Sequence, residues 1–473
     1  MNATQMYIDG ELVTSSEKFK VNNPATEALV DTISVANKDI AQLALESAQS
    51  AKKSWGMSSV ETRTKWMLML RDELALHEEE LRKAIQLETG KPWQATQEDY
   101  QLLIDSLEFY AEEIKRYTVP TLNDVEKTHR HTLTHKPVGV VVAYLSWNFP
   151  LLNLGYKLGP ALASGCPIIL KPSLKAPLSA YLVGAICHKI GLPKGVVNII
   201  AGDDAEVGNY LSGSSIPSML TLIGSINTGV KIMQAGATTI KRYSMELGGN
   251  TPYIVLDDAD LDKAAEILVA LKYGNSGQIC VAPNRVFVHS KVKDAFIDKV
   301  LALTKTMKLG FGSDESITMG PVIDKGSRQR IHQLVTASVE QGAKILTGGE
   351  FDASEVGSFY PPTVLTGVTP DMLIYQEEIF GPVISIIDFN DDEEVLGLAN
   401  DTDTGLASYV FTENQTKANF FAEFLEFGEV QINGIKYAIN LPHVGIKQSG
   451  IGCDCSRYAL DDYFALTRIS QAL

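Results

Sequence analysis

The sequence predicts an α/β protein in which helices cover mainly parallel sheets, and three observations support this class. Short apolar segments recur from about residue 139 onward, stretches of helical periodicity separate them, and 45% of the 473 residues are hydrophobic. A segment that is apolar at every position is typical of a strand buried on both faces of a sheet. A chain of this length is expected to form two or three domains.

Helices are predicted before the first of these strands. Between residues 37 and 55 apolar side chains fall at helical spacing, and Asn37 or Asp39 is available to cap the helix. Further helix is predicted over residues 63–87 and 94–116. The chain is then expected to become extended from residue 117 to 120, and residues 132–135 alternate as an exposed strand does.

Alternation of strands and helices predicts the type of sheet. Buried strands are predicted over residues 139–145, 167–171, 196–200 and 219–223. Because helical segments separate them, they indicate βαβ units, and a doubly wound, Rossmann-like nucleotide-binding domain is the simplest fold that accommodates them.

A second group of strands, over residues 252–256, 285–288 and 381–387, predicts another α/β domain. The tail over residues 461–470 is apolar enough to be a strand, and its expected partner is the extended segment 120–136. Such a sheet would protrude and would suit contact between subunits.

Composition and charge argue against several functions. The formal charge of −16 opposes binding to nucleic acid. The apolar stretches are shorter than the roughly 20 residues that cross a bilayer, and residues 1–13 lack the pattern of a secretory signal. Five cysteines in a long chain disfavour a disulfide framework. We therefore expect a cytoplasmic protein without a membrane or nucleic-acid partner.

Cys280 and Glu246 are candidate reactive residues. Cys280 follows small and polar residues that let a substrate approach the backbone, and a thiolate attacks a carbonyl carbon readily when a base is near. Glu246 lies between apolar residues, where desolvation would make its carboxylate a better proton acceptor toward water. Taken singly, a packing cysteine and a paired or solvent-facing glutamate are the commoner findings.

Other candidates follow predicted strands, at the edge where open parallel sheets bind ligands. Asn148 could donate to an oxyanion, a contribution of about 3 kcal/mol, although an asparagine in such a loop is also ordinary turn chemistry. Residues 224–229 match neither G-x-G-x-x-G nor a Walker loop, yet they would place a helix N-terminus beside a phosphate. Lys171 closes a strand and could reach a ribose, and Glu378 with Phe380 could bracket a flat ligand.

Taken together, these segments resemble the aldehyde dehydrogenase superfamily. The motifs occur in that family's order at compatible spacings, and they are WNFP at 147–150, KPS at 171–173, GSxxxG at 224–229, ELGGN at 246–250, GQIC at 277–280 and EEIFGPV at 377–383. Their joint occurrence is highly specific, and the resemblance runs from the first helices to the last strand.

The resemblance implies a non-acylating, NAD(P)-dependent oxidation of an aldehyde to its carboxylic acid. It implies Cys280 as the nucleophile of a thiohemiacetal and then a thioester, Glu246 as the base for water, and Asn148 with the Cys280 N–H as the oxyanion hole. The implied cofactor contacts come from several strand ends, namely Trp147, Lys171, Ser173, Leu174, Gly224, Ser225, Gly229, Leu247, Glu378 and Phe380.

The expected domains follow the same resemblance. Residues 1–118 and 138–248 would form the cofactor-binding domain and residues 249–445 an α/β catalytic domain. Residues 119–137 and 446–473 would form a small protruding β oligomerisation domain. A homodimer or a homotetramer is expected.

One departure from the family concerns the cofactor. Leu174 stands where many NAD-preferring members have a glutamate, three residues after the strand lysine. Without that carboxylate a 2′-phosphate is not repelled, and Lys171 or Lys175 could pair with it. We expect use of NAD or NADP, with a lean toward NADP.

Further departures concern the aldehyde pocket, whose expected residues are Phe149, Asn153, Tyr156, Ile279 and His443. Residues 445–450 resemble the signature of succinate-semialdehyde dehydrogenases, but Tyr156 and Gly274 stand where that subgroup carries arginines that clamp a carboxylate. His443 replaces a phenylalanine common in relatives. A polar channel is therefore expected, with a small polar or acid-bearing aldehyde as substrate.

Two alternatives stay open. In the coenzyme-A-acylating branch the thioester passes to a thiol, and those enzymes generally lack the glutamate base. A catalytically silent structural or binding descendant need not retain nucleophile, base and oxyanion donor. No metal is expected, because the C-x-C motif of Cys453 and Cys455 lacks a second ligand pair, and a redox role for these cysteines is open.

Overall fold

The computed structural model describes residues 3–119 and 122–473. Residues 1–2, in the predicted first domain, and residues 120–121, in the predicted 119–137 segment, lie outside the described residues. The helices are α1 Lys38–Gly56, α2 Val60–Ala75, α3 Glu78–Thr89, α4 Thr96–Arg116, α5 Pro150–Ser164, α6 Leu178–Lys189, α7 Asn209–Gly213, α8 Ile226–Gly236, α9 Leu261–Tyr273, α10 Lys293–Thr304, α11 Lys325–Glu340, α12 Leu373–Gln376, α13 Asp392–Asn400, α14 Gln415–Phe424 and α15 Ala459–Tyr463.

The strands are β1 Met6–Ile8, β2 Glu11–Val13, β3 Lys18–Asn22, β4 Leu29–Ser34, β5 His129–Pro137, β6 Val141–Leu145, β7 Ile168–Pro172, β8 Val197–Ile199, β9 Met219–Gly224, β10 Arg242–Leu247, β11 Pro252–Val255, β12 Arg285–His289, β13 Lys344–Thr347, β14 Thr363–Thr366, β15 Val383–Phe389, β16 Thr404–Gly405, β17 Ala407–Phe411, β18 Glu429–Ile432, β19 Ile446–Lys447, β20 Gly450–Ile451 and β21 Phe464–Ala472. The predicted α/β class with parallel sheets is confirmed.

The N-terminal helices follow the predicted pattern with one exception. Helix α1 begins after Asn37, whose side-chain oxygen accepts a hydrogen bond from the Ile40 N–H at 3.1 Å. The helix predicted over residues 63–87 is present but is divided into α2 and α3. The chain turns at Leu76, which is exposed, and the acidic residues 78–80 favour a new helix start at its positive dipole end.

The first sheet has the strand order β2-β1-β8-β7-β6-β9-β10-β20, and its central pairs from β8 to β10 are parallel. Helices α1, α5, α6 and α8 pack against it. Chain order reverses at β6, since β7 follows it on one side and β9 lies on the other. The loops after β6 and β9 therefore leave in opposite directions and open a crevice at the carboxyl ends of these strands.

The second sheet has the order β13-β14-β15-β12-β11-β17-β18 and is parallel except for the pair β13–β14. Alternate residues of its strands face two separate cores. On β11, for example, Tyr253 and Val255 belong to one core and Ile254 to the other. Burial on both faces explains why these strands are apolar at every position.

The C-terminal strand β21 pairs with β5 in an antiparallel two-stranded ribbon, with Phe464 opposite Pro137 and Ala472 opposite His129. The predicted pairing of the tail with the segment before residue 137 is thus confirmed. Of the predicted segment 446–473, β19 pairs instead with β16, and β20 extends the first sheet. The domain boundaries themselves stay a prediction.

None of the helices within residues 3–119 and 122–473 is both long enough and apolar enough to cross a bilayer.

Candidate active site

A cavity of about 690 Å³ lies between the two large sheets, beside the switch point of the first. It is lined by loops after β6 and β9, by the end of β10, and by the segments around residues 280, 380 and 443. Of the residues predicted from the sequence, the following line it: Trp147, Asn148, Phe149, Asn153, Tyr156, Gly224, Ser225, Glu246, Ile279, Cys280, Glu378, Phe380 and His443. Sequence positions almost 300 residues apart thus share one space.

The loop after β6 ties Asn148 to the segment that carries Cys280. The Asn148 side-chain amide donates to the Gln278 carbonyl at 3.0 Å, and its oxygen accepts from the Asn153 amide at 3.2 Å. Asn275 donates in turn to the Asn148 backbone carbonyl at 3.0 Å. These bonds hold the Asn148 amide close to the backbone just before the cysteine, where an oxyanion donor has to be.

Three consecutive residues in the left-handed region turn the chain before Cys280. Their φ angles are +45° at Asn275, +56° at Ser276 and +73° at Gly277. A Cβ atom at Gly277 would lie 2.2 Å from the Gly381 carbonyl oxygen, so only glycine fits there. The strained backbone is held by the surrounding contacts, among them the bond from the Ser276 hydroxyl to the Gly320 carbonyl at 2.7 Å. The turn exposes Cys280 to the cavity.

Cys280 has two titratable neighbours. The Cys280 sulfur, a carboxylate oxygen of Glu246 and a ring nitrogen of His443 all lie within 4.8 Å of one another. Burial, and then the charge of Glu246, raise the pKa of the Cys280 thiol to about 12, while the interaction with His443 lowers it. In the free protein the thiol is therefore protonated at neutral pH, and a nearby positive charge favours its ionisation.

His443 is held between two carboxylates. Its Nδ1 lies 2.5 Å from Glu429 Oε1 and its Nε2 lies 3.3 Å from Glu246 Oε1. Burial by itself would lower the pKa of His443, but hydrogen bonds with Cys280, Glu246 and Glu429 outweigh it and raise the pKa well above its usual value. The imidazole is therefore a cation at neutral pH.

The opposite side of the cavity carries aromatic rings and a further acid. The rings of Trp147 and Phe380 meet edge to face with centroids 5.6 Å apart, and Phe380 has a left-handed φ of +48°. The Glu378 carboxylate faces Gly248, where a Cβ would lie 2.4 Å from Oε2. Burial raises the pKa of Glu378 to about 7.

These features fit a dinucleotide. Ser225 caps the eleven-residue helix α8 next to the switch point, so the helix N-terminus is available to a pyrophosphate. The Trp147–Phe380 pair and the Glu378 carboxylate line the same cavity as Ser225 and Cys280, and they are the groups that would hold a nicotinamide and its ribose.

Other predicted cofactor residues lie beside this cavity and do not line it. Lys171 is buried and forms an ion pair with Asp204. Gly229 packs over Leu247, since a Cβ at this glycine would come within 3.0 Å of the leucine side chain. Ser173 and Leu174 follow β7 and are half-buried. Their contact with a cofactor stays a prediction.

Several lining residues have no obvious local motif in the sequence. They include Lys91, Glu98, Glu429 and Lys436. Lys91 is buried, pairs with Asp99 at 2.9 Å and lies 3.7 Å from the centre of the Phe149 ring. Tertiary packing brings each of these residues to the site, and no pattern in the sequence marks them as part of it. The expectation that no metal is bound stays a prediction.

A thiol, a carboxylate and an amide donor around one space, next to a switch-point crevice, suit attack on a carbonyl coupled to hydride transfer. The class defined by this fold and site is an oxidoreductase of aldehydes. The chain belongs to the aldehyde dehydrogenase family, whose family model matches residues 12–469. It is an NAD(P)-dependent aldehyde dehydrogenase, as the sequence predicted.

Individual relatives cover nearly the whole chain. A glutarate-semialdehyde dehydrogenase of Pseudomonas putida is 36% identical over 465 residues, which is 98% of this chain and 96% of the relative. The NADP(+) succinate-semialdehyde dehydrogenase GabD of Escherichia coli is 34% identical over 98% of this chain and 96% of its own. The crystal structure of a succinate-semialdehyde dehydrogenase from Burkholderia pseudomallei is 37% identical and superimposes with a TM-score of 0.97, covering 99% of this chain and 98% of that one.

Proposed function

We propose that this dehydrogenase oxidises a short aldehyde whose far end carries an anionic group, with Cys280 as nucleophile, Glu246 as base and Asn148 as oxyanion donor. The observation that carries the proposal is that all three side chains line one cavity with polar and cationic residues on its wall. All three relatives described above are named for semialdehydes that carry a carboxylate.

The chemistry assigned to the three residues proceeds in two stages. The Cys280 thiolate bonds to the aldehyde carbon, and the carbonyl electron pair moves to the oxygen, where the Asn148 amide donates to it. The oxyanion electron pair then re-forms the C=O bond of the thioester, and the hydride that leaves the carbon would be accepted by NAD(P)+ when this is bound. Glu246 then takes a proton from water, the water oxygen bonds to the thioester carbon, and the carbon–sulfur bond breaks to release the acid.

Lys436 is the candidate partner for the anionic end of the substrate. It is exposed and lines the cavity, and its backbone N–H is fixed by a 2.7 Å hydrogen bond to the Gln431 side chain. A lysine offers a single cation rather than the two-pronged contact of an arginine pair.

Steady-state kinetics test this proposal. We expect kcat/KM for succinic and glutaric semialdehyde to exceed that for a neutral hydroxyaldehyde, and to exceed that for hexanal by more. Lys436→Met should reduce kcat/KM for the acid-bearing aldehydes about tenfold through KM, as loss of one charge-assisted contact predicts, and leave hexanal unchanged. Lys344→Met, at an exposed lysine on β13, is the matched control. A preference of the wild type for hexanal would refute the assignment.

We also propose that both cofactors are used, with NADP preferred. Leu174 supplies no carboxylate to repel a 2′-phosphate, and Lys175 lies on the exposed surface nearby, paired with Asp324 at 2.6 Å. Lys175→Gln should raise KM for NADP and leave KM for NAD unchanged. A large wild-type preference for NAD would refute the proposed preference for NADP.

We propose that the β5–β21 ribbon joins subunits of a homodimer or homotetramer. A two-stranded ribbon is marginal by itself in water, and this one exposes Leu466 and Ile469 at 61% and 50%. Light scattering of the wild type should give a dimer or tetramer mass, and Ile469→Lys should lower it. A monomeric wild type would refute the proposal.

A cytoplasmic location is supported by the five free cysteines, and cell fractionation tests it.

The coenzyme-A-acylating route and the catalytically silent descendant can each be tested by an assay. Glu246 lines the cavity close to Cys280, and this favours hydrolysis. Adding coenzyme A to the assay should yield the free acid only. Formation of acyl-coenzyme A would favour the other route, and absence of any reduced cofactor across a broad aldehyde panel would favour a silent descendant.

A further inference from the structure

His443 makes contacts that a residue of the pocket wall does not need. Its two ring nitrogens lie against two different carboxylates, Glu429 at 2.5 Å and Glu246 at 3.3 Å. The Cys280 sulfur lies within 4.8 Å of both the imidazole and Glu246. The imidazole thus stands between the thiol and Glu429, in the order of a thiol, histidine and carboxylate triad.

The position of this imidazole is determined by buried contacts. The His443 backbone forms a two-way bridge with Asp454, with N–O distances of 2.8 and 2.9 Å. The Asp454 carboxylate in turn receives two hydrogen bonds from Lys157, at 2.6 and 2.7 Å, and both side chains are buried. The Tyr437 ring meets His443 edge to face at 6.2 Å. Because backbone and ring are both held, the imidazole is presented to Cys280 in one orientation.

The electrostatics of the cluster require a cation. A thiolate at Cys280 would lie near the carboxylates of Glu246 and Glu429, so that three negative charges would be crowded into a buried space. Like charges this close oppose ionisation, and an imidazolium between them offsets the repulsion. His443 is the cationic group placed there by the structure.

We propose that His443, kept protonated and oriented by Glu429, is the cationic partner that stabilises the Cys280 thiolate. This inference rests on the proposed nucleophilic role of Cys280. On ionisation the S–H bond breaks, its electron pair stays on the sulfur, and the proton passes to the Glu246 carboxylate and from there to water. Glu246 is then free to act on the hydrolytic water, and His443 keeps its proton throughout.

The other groups around His443 do not change their charge near neutral pH. Those with charge or titratable protons come from several segments packed around the ring, and they are Glu246, Cys280, Tyr409, Glu429, Tyr437, Cys453, Asp454 and Cys455. Apart from the two carboxylates in direct contact and Asp454, which is paired with Lys157, these groups are tyrosine hydroxyls and cysteine thiols. Burial raises the pKa of each of them further above neutral pH.

The test measures the thiol itself, without aldehyde or cofactor. The rate of Cys280 alkylation by iodoacetamide is recorded between pH 5 and pH 10 on the full-length protein, with Cys280→Ala giving the background from the other cysteines. His443→Phe replaces the imidazole by an uncharged ring, and His443→Gln keeps a hydrogen-bonding group without a charge. His188→Phe, at an exposed histidine outside the cavity, is the matched control.

We expect both His443 variants to slow alkylation by roughly 10²-fold throughout pH 5–10, because the thiol pKa of about 12 rises further when the imidazolium is lost. Glu429→Gln should slow alkylation by less. His188→Phe should match the wild type.

Two results would overturn the proposal. They are an unchanged alkylation rate in His443→Phe and a wild-type rate in His443→Gln. Melting temperature and cofactor fluorescence establish that each variant is folded. Alkylation needs no aldehyde, so it tests the role of His443 independently of the proposed substrate class. An error in the substrate class would appear only in turnover measurements.

Discussion

The buried ion pair between Lys157 and Asp454 links helix α5 to the segment that carries His443. Its atoms lie 2.6 and 2.7 Å apart, and the side chains are 0% and 4% exposed. Changing Lys157 to Met leaves a carboxylate buried without its cation. Removal of one member of such a pair costs about 3–5 kcal/mol, and we expect the upper part of this range because two hydrogen bonds are lost together.

Urea unfolding followed by both fluorescence and circular dichroism measures this loss. The expected result is a lower midpoint for Lys157→Met, together with reduced activity because Asp454 bridges the His443 backbone. The double variant Lys157→Met with Asp454→Leu is the control, since replacing a buried pair by apolar residues is often neutral. It should recover most of the stability. A single variant within about 1 kcal/mol of wild type, or a double variant no better than the single, would refute the reasoning.

Three further predictions concern the site. Cys280→Ala should abolish aldehyde oxidation and leave cofactor binding intact, as checked by fluorescence titration; residual turnover would mean another nucleophile. Glu246→Gln should give a burst of about one reduced cofactor per site and then stall at the thioester, in stopped-flow absorbance; full steady turnover would mean another base. Gly277→Ala should lower kcat at least tenfold, because its Cβ would meet the Gly381 carbonyl at 2.2 Å; an unchanged kcat would show that the left-handed turn is not required.

The fold class was predictable because burial leaves a direct mark on the sequence. Strands β6, β7 and β9 are buried on both faces, and each was predicted within two residues of its bounds. The break between α2 and α3 was not predicted. Periodicity records which side of a helix is apolar, but it does not record where the helix changes direction.

The candidate site was predictable where its residues sit in distinctive local motifs. Cys280, Glu246 and Asn148 belong to three such motifs, and the cavity contains all three. Glu429 was missed, because its contact with His443 depends on β18 lying beside the loop around residue 443 and no nearby residue marks it. His443 was predicted as part of the pocket wall, yet its two carboxylate partners became visible only in three dimensions.

The amino-acid sequence by itself determined the class of enzyme, the alternation of strands and helices in the first sheet, and the identity of the nucleophile, base and amide donor proposed for catalysis. These follow from local chemistry and from periodic burial. Only the tertiary structure decided which charges surround the thiol, since Coulomb interactions depend on distances in space between residues far apart in the chain. That is why the Glu429–His443 pair beside Cys280, and the Lys157–Asp454 pair that supports it, belong to the fold and not to any motif.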